Sequence, residues 1–299
     1  MVSQMGGPGG LSFQMSVLSR LQSAGVKLSS DISEIDCKVF EPTPGFSRVP
    51  PSLLTQATPL VSCLMITRGN VELMQFSLAC YKQQTYANRE LVVVAEPEAG
   101  EKVRAFIASQ EVLNARVFVA PPGLTIGDHR NLAAARADGA ICVAWDDDDL
   151  SDRRRLEIAV NVLRKTGAAA AFLARLFIWW PQRRVAAISG RRIWEGTIAA
   201  WRSHMPIYPP LPRGSDSAAI KGLVGTQCVA AFDCPLLYGY AVTGRNTWGA
   251  SHFELFLSTA ECVFEGDQFD EFNELLSDRL PLLDYAAILN DKDAIKVSG

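Results

Sequence analysis

The chain has 299 residues, of which 48% are hydrophobic and 20% are charged. This length can bury the core of one large domain or of two smaller ones. The formal net charge of -3 is not the basic excess that bulk nucleic-acid binding produces, so we expect no nucleic-acid partner. No apolar run reaches the roughly 18 residues of a membrane-spanning helix, and the N-terminus lacks the pattern of a secretory signal.

The seven cysteines are an odd number and form no Cys-x-x-Cys pairs of the kind that bind zinc. Cys63 and Cys142 lie in apolar, strand-like runs, where cysteine behaves as a small hydrophobic residue. This pattern predicts reduced thiols in a cytoplasmic protein.

The chain divides into three predicted parts. Residues 1–55 are predicted to be an N-terminal appendage, flexible where glycine and proline are dense, with one amphipathic helix between residues 13 and 28. Residues 56–255 form the main domain. Residues 256–299 are predicted to be a helical tail with a break near Gly266.

Apolar runs alternate with amphipathic segments through the first half of the main domain. Strands are predicted at residues 60–66, 90–94, 116–120 and 140–145, and helices at residues 71–84, 101–110, 126–137 and 153–166. Continuous apolar strands alternating with helices indicate an α/β fold with a mostly parallel sheet that is covered on both faces.

The second half has a different pattern, which indicates a mixed α+β region. Residues 170–180 and 185–189 are predicted to form a hairpin. Residues 190–214 are read as irregular, residues 215–224 as a helix with Ser215 or Asp216 near its N-cap, and residues 237–242 as a strand.

Four aspartates, residues 146–149, follow the apolar run 140–145. The carboxyl ends of parallel strands line the ligand crevice of such sheets, and Thr67, Arg68 and Glu96 follow two of the other predicted strands. Asp146 and Asp148 would share a face if the chain stays extended, and a divalent cation would relieve their repulsion. The alternative is an acidic turn with solvated carboxylates; we favour the metal site.

The ordered set of segments resembles family 2 glycosyltransferases with the GT-A fold, over residues 59–248. The segments are 61–70 (first strand and its end), 90–96 (second strand and acid), Arg130-Asn131, residues 144–149 (acidic motif), Arg155-Leu156, residues 214–216 and residues 246–248. The resemblance implies a Rossmann-like, mostly parallel central sheet flanked by helices and an acceptor-side half of mixed α+β structure.

The resemblance also implies an inverting transfer of a sugar from a nucleotide-sugar donor, most simply a UDP-sugar, to the hydroxyl of a glycan or lipid-linked acceptor. It implies a hexosyltransferase type of activity in polysaccharide biosynthesis. It implies an enzyme that is cytoplasmic, either free or in peripheral contact with the inner face of the membrane.

Site roles follow from the matched positions. The donor would contact Thr67, Arg68, Glu96, Arg130, Asp146 and Asp147, and Mn²⁺ or Mg²⁺ would be held by Asp146 and Asp148. Asp216 would be the general base, with a plain N-cap aspartate as the alternative. Trp194, Glu195 and Trp248 are candidates for the acceptor wall, although core packing explains the tryptophans equally well.

The sequence departs from the family pattern at Gly69, Ala95, Thr243 and Ser215. These departures leave open a catalytically impaired protein that binds nucleotide sugars or glycans. A sugar-phosphate nucleotidyltransferase is a second alternative, but residues 67–70 do not form its glycine-rich, lysine-containing loop. A calcium module of the EF-hand type lacks its spaced acids.

Overall fold

The computed structural model describes residues 16–27, 34–42 and 49–291. Its strands are, in chain order, β1 (Cys37–Phe40), β2 (Val61–Thr67), β3 (Arg89–Ala95), β4 (Ala115–Val119), β5 (Ile141–Ala144), β6 (Leu150–Ser151), β7 (Ala170–Leu173), β8 (Phe177–Trp180), β9 (Val185–Ile188), β10 (Ala199–Trp201), β11 (Val229–Phe232), β12 (Tyr238–Ala241) and β13 (Cys262–Glu265).

Its helices are α1 (Val17–Ser23), α2 (Pro51–Leu54), α3 (Val71–Lys82), α4 (Gly100–Ser109), α5 (Ile126–Ala135), α6 (Arg155–Thr166), α7 (Ser215–Thr226), α8 (Ala250–Ser258), α9 (Asp267–Leu275) and α10 (Leu282–Asn290). The part of residues 13–28 that is described forms the short helix α1; the rest of that predicted helix lies outside the described residues.

Eight of the described strands form a large sheet in the order β1-β11-β7-β10-β5-β2-β3-β4. The run β5-β2-β3-β4 is parallel, as is the pair β7-β11, whereas β10 is antiparallel to both of its neighbours. The predicted α/β fold with a mostly parallel central sheet is confirmed.

The large sheet is covered on both faces, because the residues that point to either face of its central strands are mostly apolar. Cys63 and Met65 of β2 belong to the main core, which also contains residues of α3, α4 and α6. Leu64 of the same strand lies in a second cluster together with Ala133 of α5. The helices predicted for the first half therefore lie on the two faces of this sheet.

A smaller sheet has the order β13-β9-β8-β12-β6 among the described strands. Its β8 and β12 are parallel and its other pairs are antiparallel, so it is mixed, as expected for the acceptor-side half. Helix α10 packs beside this sheet through Tyr285. The centre of the Tyr285 ring lies 5.6 Å from the centre of the Trp179 ring.

Four details of the second half differ from the sequence predictions. The hairpin is formed by β8 and β9 alone, because β7 pairs with β10 and β11 in the large sheet. The region read as irregular contains β10, and the predicted helical tail contains β13. The N-cap of α7 is Gly214, whose positive φ of 70° suits glycine, rather than Ser215 or Asp216.

Residues before the main domain take part in the fold. Strand β1 pairs with β11 at the edge of the large sheet, and Val17 and Leu21 of α1 are fully buried. The fully buried Arg175 donates to the backbone carbonyl of Ala24 and forms an ion pair with Asp233 at 2.8 Å. A buried guanidinium must be paired in this way, so this contact fastens the N-terminal segment to the two sheets.

No helix in the described ranges combines the length and the apolarity that a membrane span requires.

Candidate active site

A cavity of about 630 Å³ opens where β2, β3 and β5 end. It is lined by all the residues to which the sequence analysis assigned a donor, metal, base or acceptor role: Thr67, Arg68, Glu96, Arg130, Asp146, Asp147, Asp148, Trp194, Glu195, Asp216 and Trp248. The fold therefore brings together in one cavity residues as far apart in the sequence as Thr67 and Trp248.

The acidic run begins at a rigid point of the core. The backbone N–H of Trp145 donates to the carbonyl of Leu64 at 2.9 Å, which extends the pairing of β5 with β2 by one residue. The buried Trp145 indole donates to the carbonyl of Ser77, and the Ser77 hydroxyl donates to the carbonyl of Asp146 at 2.7 Å. Helix α3 therefore fixes the backbone from which the aspartates project.

The segment that contains β12 binds three of the four carboxylates. The hydroxyl of Tyr238 lies 3.0 Å from Asp146 Oδ2, and the backbone N–H of Ala241 donates to Asp149 Oδ1 at 2.8 Å. The side-chain amide of Asn246 donates to Asp148 Oδ2 at 3.1 Å. Asp149 is only 5% exposed and is bound by Tyr238 as well, which gives it a structural role in holding β6 and β12 together.

The enclosed position of Asp147, Asp148 and Asp149 and the adjacent acidic groups disfavour the ionisation of these three side chains. Burial raises the pKa of Asp147 to about 6, against the opposing effect of a hydrogen bond from the Thr67 hydroxyl. Burial and the charges of the three neighbouring aspartates raise the pKa of Asp148 well above its usual range. A bound cation would favour the ionised forms.

The acids fit a metal that is shared with a substrate better than a metal held by protein alone. Among the described residues, no group of three or more His, Cys, Asp or Glu side chains is arranged to hold a metal ion. Magnesium is typically bound through one or two carboxylates together with substrate phosphates. Asp146 and Asp148, which both line the cavity, supply that number of carboxylates.

Arg155 supports the acidic run from the core side. Its guanidinium is buried, donates to the carbonyl of Ala144 at 2.7 Å and lies 5.1 Å from the ring of Trp145 and 4.6 Å from that of Tyr238. Arg155 lies in one of the matched sequence segments, but no role was predicted for it. Its position shows that a buried cation balances part of the charge of the aspartates.

At the other side of the cavity lie the residues that follow β2 and β3. The Thr67 hydroxyl accepts a hydrogen bond from the N–H of Gly69 at 2.9 Å, and Arg68 forms an ion pair with Glu96 at 3.5 Å. Gly69 has a φ of 88°, and a Cβ there would lie 2.6 Å from the Cβ of Ala99. This crowding and the positive φ explain why the position requires glycine.

Asp216 lies in the first turn of α7, beside Arg130 of α5. Arg130 donates to the hydroxyl of Ser215 at 3.0 Å, and its guanidinium lies 3.8 Å from Asp216 Oδ2. Because Gly214 is the N-cap, the alternative reading of Asp216 as a plain N-cap residue is wrong. Arg130 joins α5 to α7 and at the same time reaches the cavity.

Aromatic side chains form one wall of the cavity. Trp248 is 37% exposed, and its ring stacks on His252 with the ring centres 4.8 Å apart. Trp194 is only 5% exposed and packs edge-on against Phe256, so most of its surface is core. Trp248 therefore offers far more accessible ring surface than Trp194.

Glu195 lies next to the aromatic wall and is already paired. Arg192 donates to both of its carboxylate oxygens, at 2.7 and 2.8 Å, and the Ser217 hydroxyl lies 3.3 Å from Oε1. This pairing fixes the orientation of Glu195 beside α7 at the edge of the cavity.

Sequence reasoning missed Tyr238, Asn246 and Tyr285 as partners of the acidic run. The Tyr285 hydroxyl, from helix α10, donates to the backbone carbonyl of Asp148 at 2.7 Å. These three residues lie about 90 to 140 positions beyond the aspartates they contact. The segment Asn246-Thr247-Trp248, which resembles a family motif, was the one feature of the sequence that pointed to this region.

Comparison with known proteins gives a likeness in structure alone. No protein-family model matches the sequence, and no curated protein matches it. A mannosyltransferase from Pyrobaculum calidifontis, PcManGT, in complex with GDP-Man and Mn²⁺, is similar with a TM-score of 0.51 and 18% identity over 93% of this chain and 78% of that one.

TarS 1-349 of S. aureus is also similar. Its UDP complex aligns with a TM-score of 0.51 and 14% identity over 73% of this chain and 72% of that chain. Its UDP-GlcNAc complex has a TM-score of 0.51 and 15% identity over 60% and 58%. The fold is that of GT-A glycosyltransferases.

This chain spans about three-fifths of the length of TarS 1-349 in two of the alignments, 60% and 58%. At identities of 14 to 18%, the similarity establishes the fold, and the chemistry has to be argued from the cavity itself.

Proposed function

We propose that this protein is a metal-assisted, inverting glycosyltransferase of the family 2 type, which transfers a hexosyl group from a nucleotide-sugar donor to an acceptor hydroxyl. One observation supports this most strongly. Asp146, Asp148, Arg130 and Asp216 line the same cavity at the carboxyl ends of parallel strands, where open α/β folds bind their ligands.

The donor is a nucleoside diphosphate sugar, most simply a UDP-sugar. Thr67, Arg68 and Glu96 would contact the base and ribose, because they lie at the carboxyl ends of β2 and β3 and line the cavity. Asp146, Asp147 and Arg130 would contact the remainder of the nucleotide. The complexes of TarS with UDP and UDP-GlcNAc and of PcManGT with GDP-Man support this class of donor.

Asp146 and Asp148 would hold Mn²⁺ or Mg²⁺ together with the donor diphosphate. When bound, such a cation acts as a Lewis acid that stabilises the charge developing on the leaving nucleoside diphosphate. Tyr238 and Asn246 keep the two carboxylates in place by donating to one oxygen of each. The Mn²⁺ in the PcManGT complex supports this use of a divalent cation.

Asp216 would act as the general base. A carboxylate within hydrogen-bond reach takes the proton of the acceptor hydroxyl as its oxygen attacks the anomeric carbon. The bond between that carbon and the diphosphate oxygen breaks on the opposite face, so the configuration inverts. Arg130, 3.8 Å from Asp216, keeps the carboxylate oriented by pairing with the start of α7.

The acceptor would be a glycan or a lipid-linked sugar that lies against Trp194, Glu195 and Trp248. The accessible ring of Trp248 suits the apolar face of a sugar, and Glu195 can accept hydrogen bonds from sugar hydroxyls. A role in polysaccharide biosynthesis in the cytoplasm, with peripheral contact to the inner face of the membrane, stays a prediction from the family resemblance.

Thermal denaturation of the purified protein with UDP-glucose, UDP-GlcNAc or GDP-mannose, each with Mn²⁺ or with EDTA, tests donor binding. A donor present at 100 times its Kd stabilises the folded state by about 2.7 kcal/mol, which raises Tm. We expect such a rise for one nucleotide class with Mn²⁺ and none with EDTA. No stabilisation by any of the three would contradict the proposal.

Release of nucleoside diphosphate separates the alternatives. A glycosyltransferase releases it slowly to water and faster with an acceptor, and the anomeric signal in the NMR spectrum of the product reports inversion. A binding protein without activity would show the rise in Tm without release. A nucleotidyltransferase would instead consume a nucleoside triphosphate and a sugar phosphate.

A further inference from the structure

The side chain of Asn246 uses all four of its hydrogen-bonding positions at the acidic run. Its Nδ2 donates to Asp148 Oδ2 at 3.1 Å and to the carbonyl of Ala241 at 2.9 Å. Its Oδ1 accepts from the backbone N–H of Thr243 at 2.9 Å and from the Thr243 hydroxyl at 3.2 Å. The amide therefore connects the turn after β12 to one carboxylate, 98 residues earlier in the chain.

This set of partners fixes which way the amide faces. If the amide were reversed, Oδ1 would face the carboxylate of Asp148 and the carbonyl of Ala241, which are both acceptors, and the NH₂ group would face the N–H of Thr243, a donor. Both changes are repulsive. Asn246 therefore presents a hydrogen-bond donor, and not an acceptor, to Asp148.

A donor on one carboxylate oxygen restricts the rotation of the whole carboxylate, and so it limits where the second oxygen can lie. This matters at Asp148 because it lines the cavity together with Asp146, so the direction of its carboxylate decides which oxygens a cation can meet. In metal sites, groups that bind the ligating side chains orient them, and removal of such a group typically lowers metal affinity by about 10- to 100-fold.

We propose that Asn246 is a positioning residue, which holds Asp148 in the orientation that binds the divalent cation of a nucleotide–metal complex. The inference rests on the proposed function. It adds a residue to which the sequence analysis assigned no role.

The turn that carries Asn246 also reaches across the cavity. The backbone N–H of Arg245 donates to the Thr243 hydroxyl at 3.2 Å, and the Arg245 guanidinium lies 3.3 Å from Oδ1 of Asn70, which follows β2. One turn thus contacts the acid at the end of β5 and the residue at the end of β2. A change in its conformation would alter the position of Asp148 through Asn246.

The test is the affinity for Mn²⁺, measured by electron paramagnetic resonance of free Mn²⁺ in the presence of saturating UDP or GDP, whichever stabilises the wild type. We expect Asn246→Ala to bind Mn²⁺ about tenfold more weakly than the wild type. In turnover assays, the concentration of Mn²⁺ at half-maximal rate should rise by a similar factor, while kcat at saturating Mn²⁺ falls much less.

Two matched variants separate positioning from general damage. Thr243→Val removes the hydroxyl bonds of the same turn but keeps the backbone N–H bond to Oδ1 and leaves the amide on Asp148. Asn88→Ala removes an asparagine amide that donates to the Thr58 carbonyl, away from the cavity. We expect both variants to keep Mn²⁺ affinity within about threefold of the wild type, below the loss for a ligand-orienting group.

The outcomes are distinct. An Asn246→Ala protein with wild-type Mn²⁺ affinity, or a Thr243→Val protein with an equal loss, would overturn the inference and leave the proposed function standing. A wild type that binds no Mn²⁺ with either nucleotide would overturn both. If Asn246→Ala does not fold, as judged by circular dichroism, Asn246→Ser takes its place, because serine can retain a turn-forming bond with Thr243.

Discussion

The hydroxyl of Tyr238 lies within hydrogen-bond distance of two aspartates of the acidic run, 3.0 Å from Asp146 Oδ2 and 2.5 Å from Asp149 Oδ2. Both acids line the cavity, but Asp149 is only 5% exposed. Tyr238 therefore links Asp146 to the acid that joins β6 and β12, so the position of the run depends on a strand from the second half of the chain.

Replacement of Tyr238 by phenylalanine removes this link and leaves Oδ2 of the buried Asp149 without the hydroxyl that binds it. We expect the free energy of unfolding to fall by about 1–3 kcal/mol, measured by urea denaturation with EDTA present. Tyr86→Phe is the matched control, because the Tyr86 hydroxyl donates to the Pro59 carbonyl outside the cavity. An equally small loss of unfolding free energy in both variants, together with unchanged Mn²⁺ affinity, would show that Tyr238 does not hold the acidic run in place.

Asp148→Ala is expected to abolish transfer while the protein remains folded. The loss should be about 10²-fold or more, because several kcal/mol of transition-state stabilisation by the metal are removed. Without metal, stability should not fall, since one of four mutually repelling acids is gone. Asp138→Ala, which removes an exposed acid paired with Arg116, serves as the control. Near wild-type turnover in Asp148→Ala would refute the metal assignment.

Asp216→Asn is expected to bind the nucleotide normally and to transfer poorly. Loss of a general base typically lowers kcat by about 10²- to 10⁴-fold, whereas the rise in Tm with donor and Mn²⁺ should equal that of the wild type. The isosteric change keeps the first turn of α7 intact. Asp270→Asn, which alters an exposed ion pair with Arg184, provides the comparison. Unchanged turnover would place the base elsewhere.

We expect the protonation of Glu90 to cause part of the loss of folding stability at acidic pH. Burial opposes its ionisation, but hydrogen bonds from Ser62, the N–H of Asp138 and Arg116 outweigh burial and lower its pKa. The unfolded state therefore binds more protons near and below pH 4.5, so this contribution to stability is present above that pH and is lost as pH falls through the lowered pKa.

In urea denaturation between pH 3 and pH 7, Glu90→Gln should therefore lose stability at neutral pH and show a weaker decline towards acid than the wild type. Glu101→Gln, at an exposed position paired with Arg104, should follow the wild-type curve. Parallel curves for Glu90→Gln and the wild type would show that Glu90 does not contribute to the pH dependence.

The first half of the fold was predictable because its signals are local. The strands β2, β3, β4 and β5 are mainly apolar runs, and each is separated from the next by a helix. Crossover connections place β2, β3 and β4 side by side, whereas β5 pairs with the other edge of β2. The acidic run directly after β5 therefore predicts a site at the carboxyl edge of the sheet.

The second half gave weaker signals. Strand β10 has three residues, which is too short for a periodic pattern, and it is held by pairing with both β5 and β7. Residues 170–180 read as one apolar segment, yet the chain leaves the large sheet after Leu173 and enters the smaller sheet at Phe177. Long-range strand pairing, which periodicity does not encode, decided these elements.

The sequence by itself determined the class of fold and the position of the acidic run, because these follow from apolar periodicity and from charge placed at strand ends. Only the tertiary structure decided how the four aspartates differ. Asp149 is buried between β6 and β12, Asp146 is bound by Tyr238, and Asp148 is oriented by Asn246. The reason is physical: a carboxylate takes its role from the donors around it, and these donors come from distant parts of the chain.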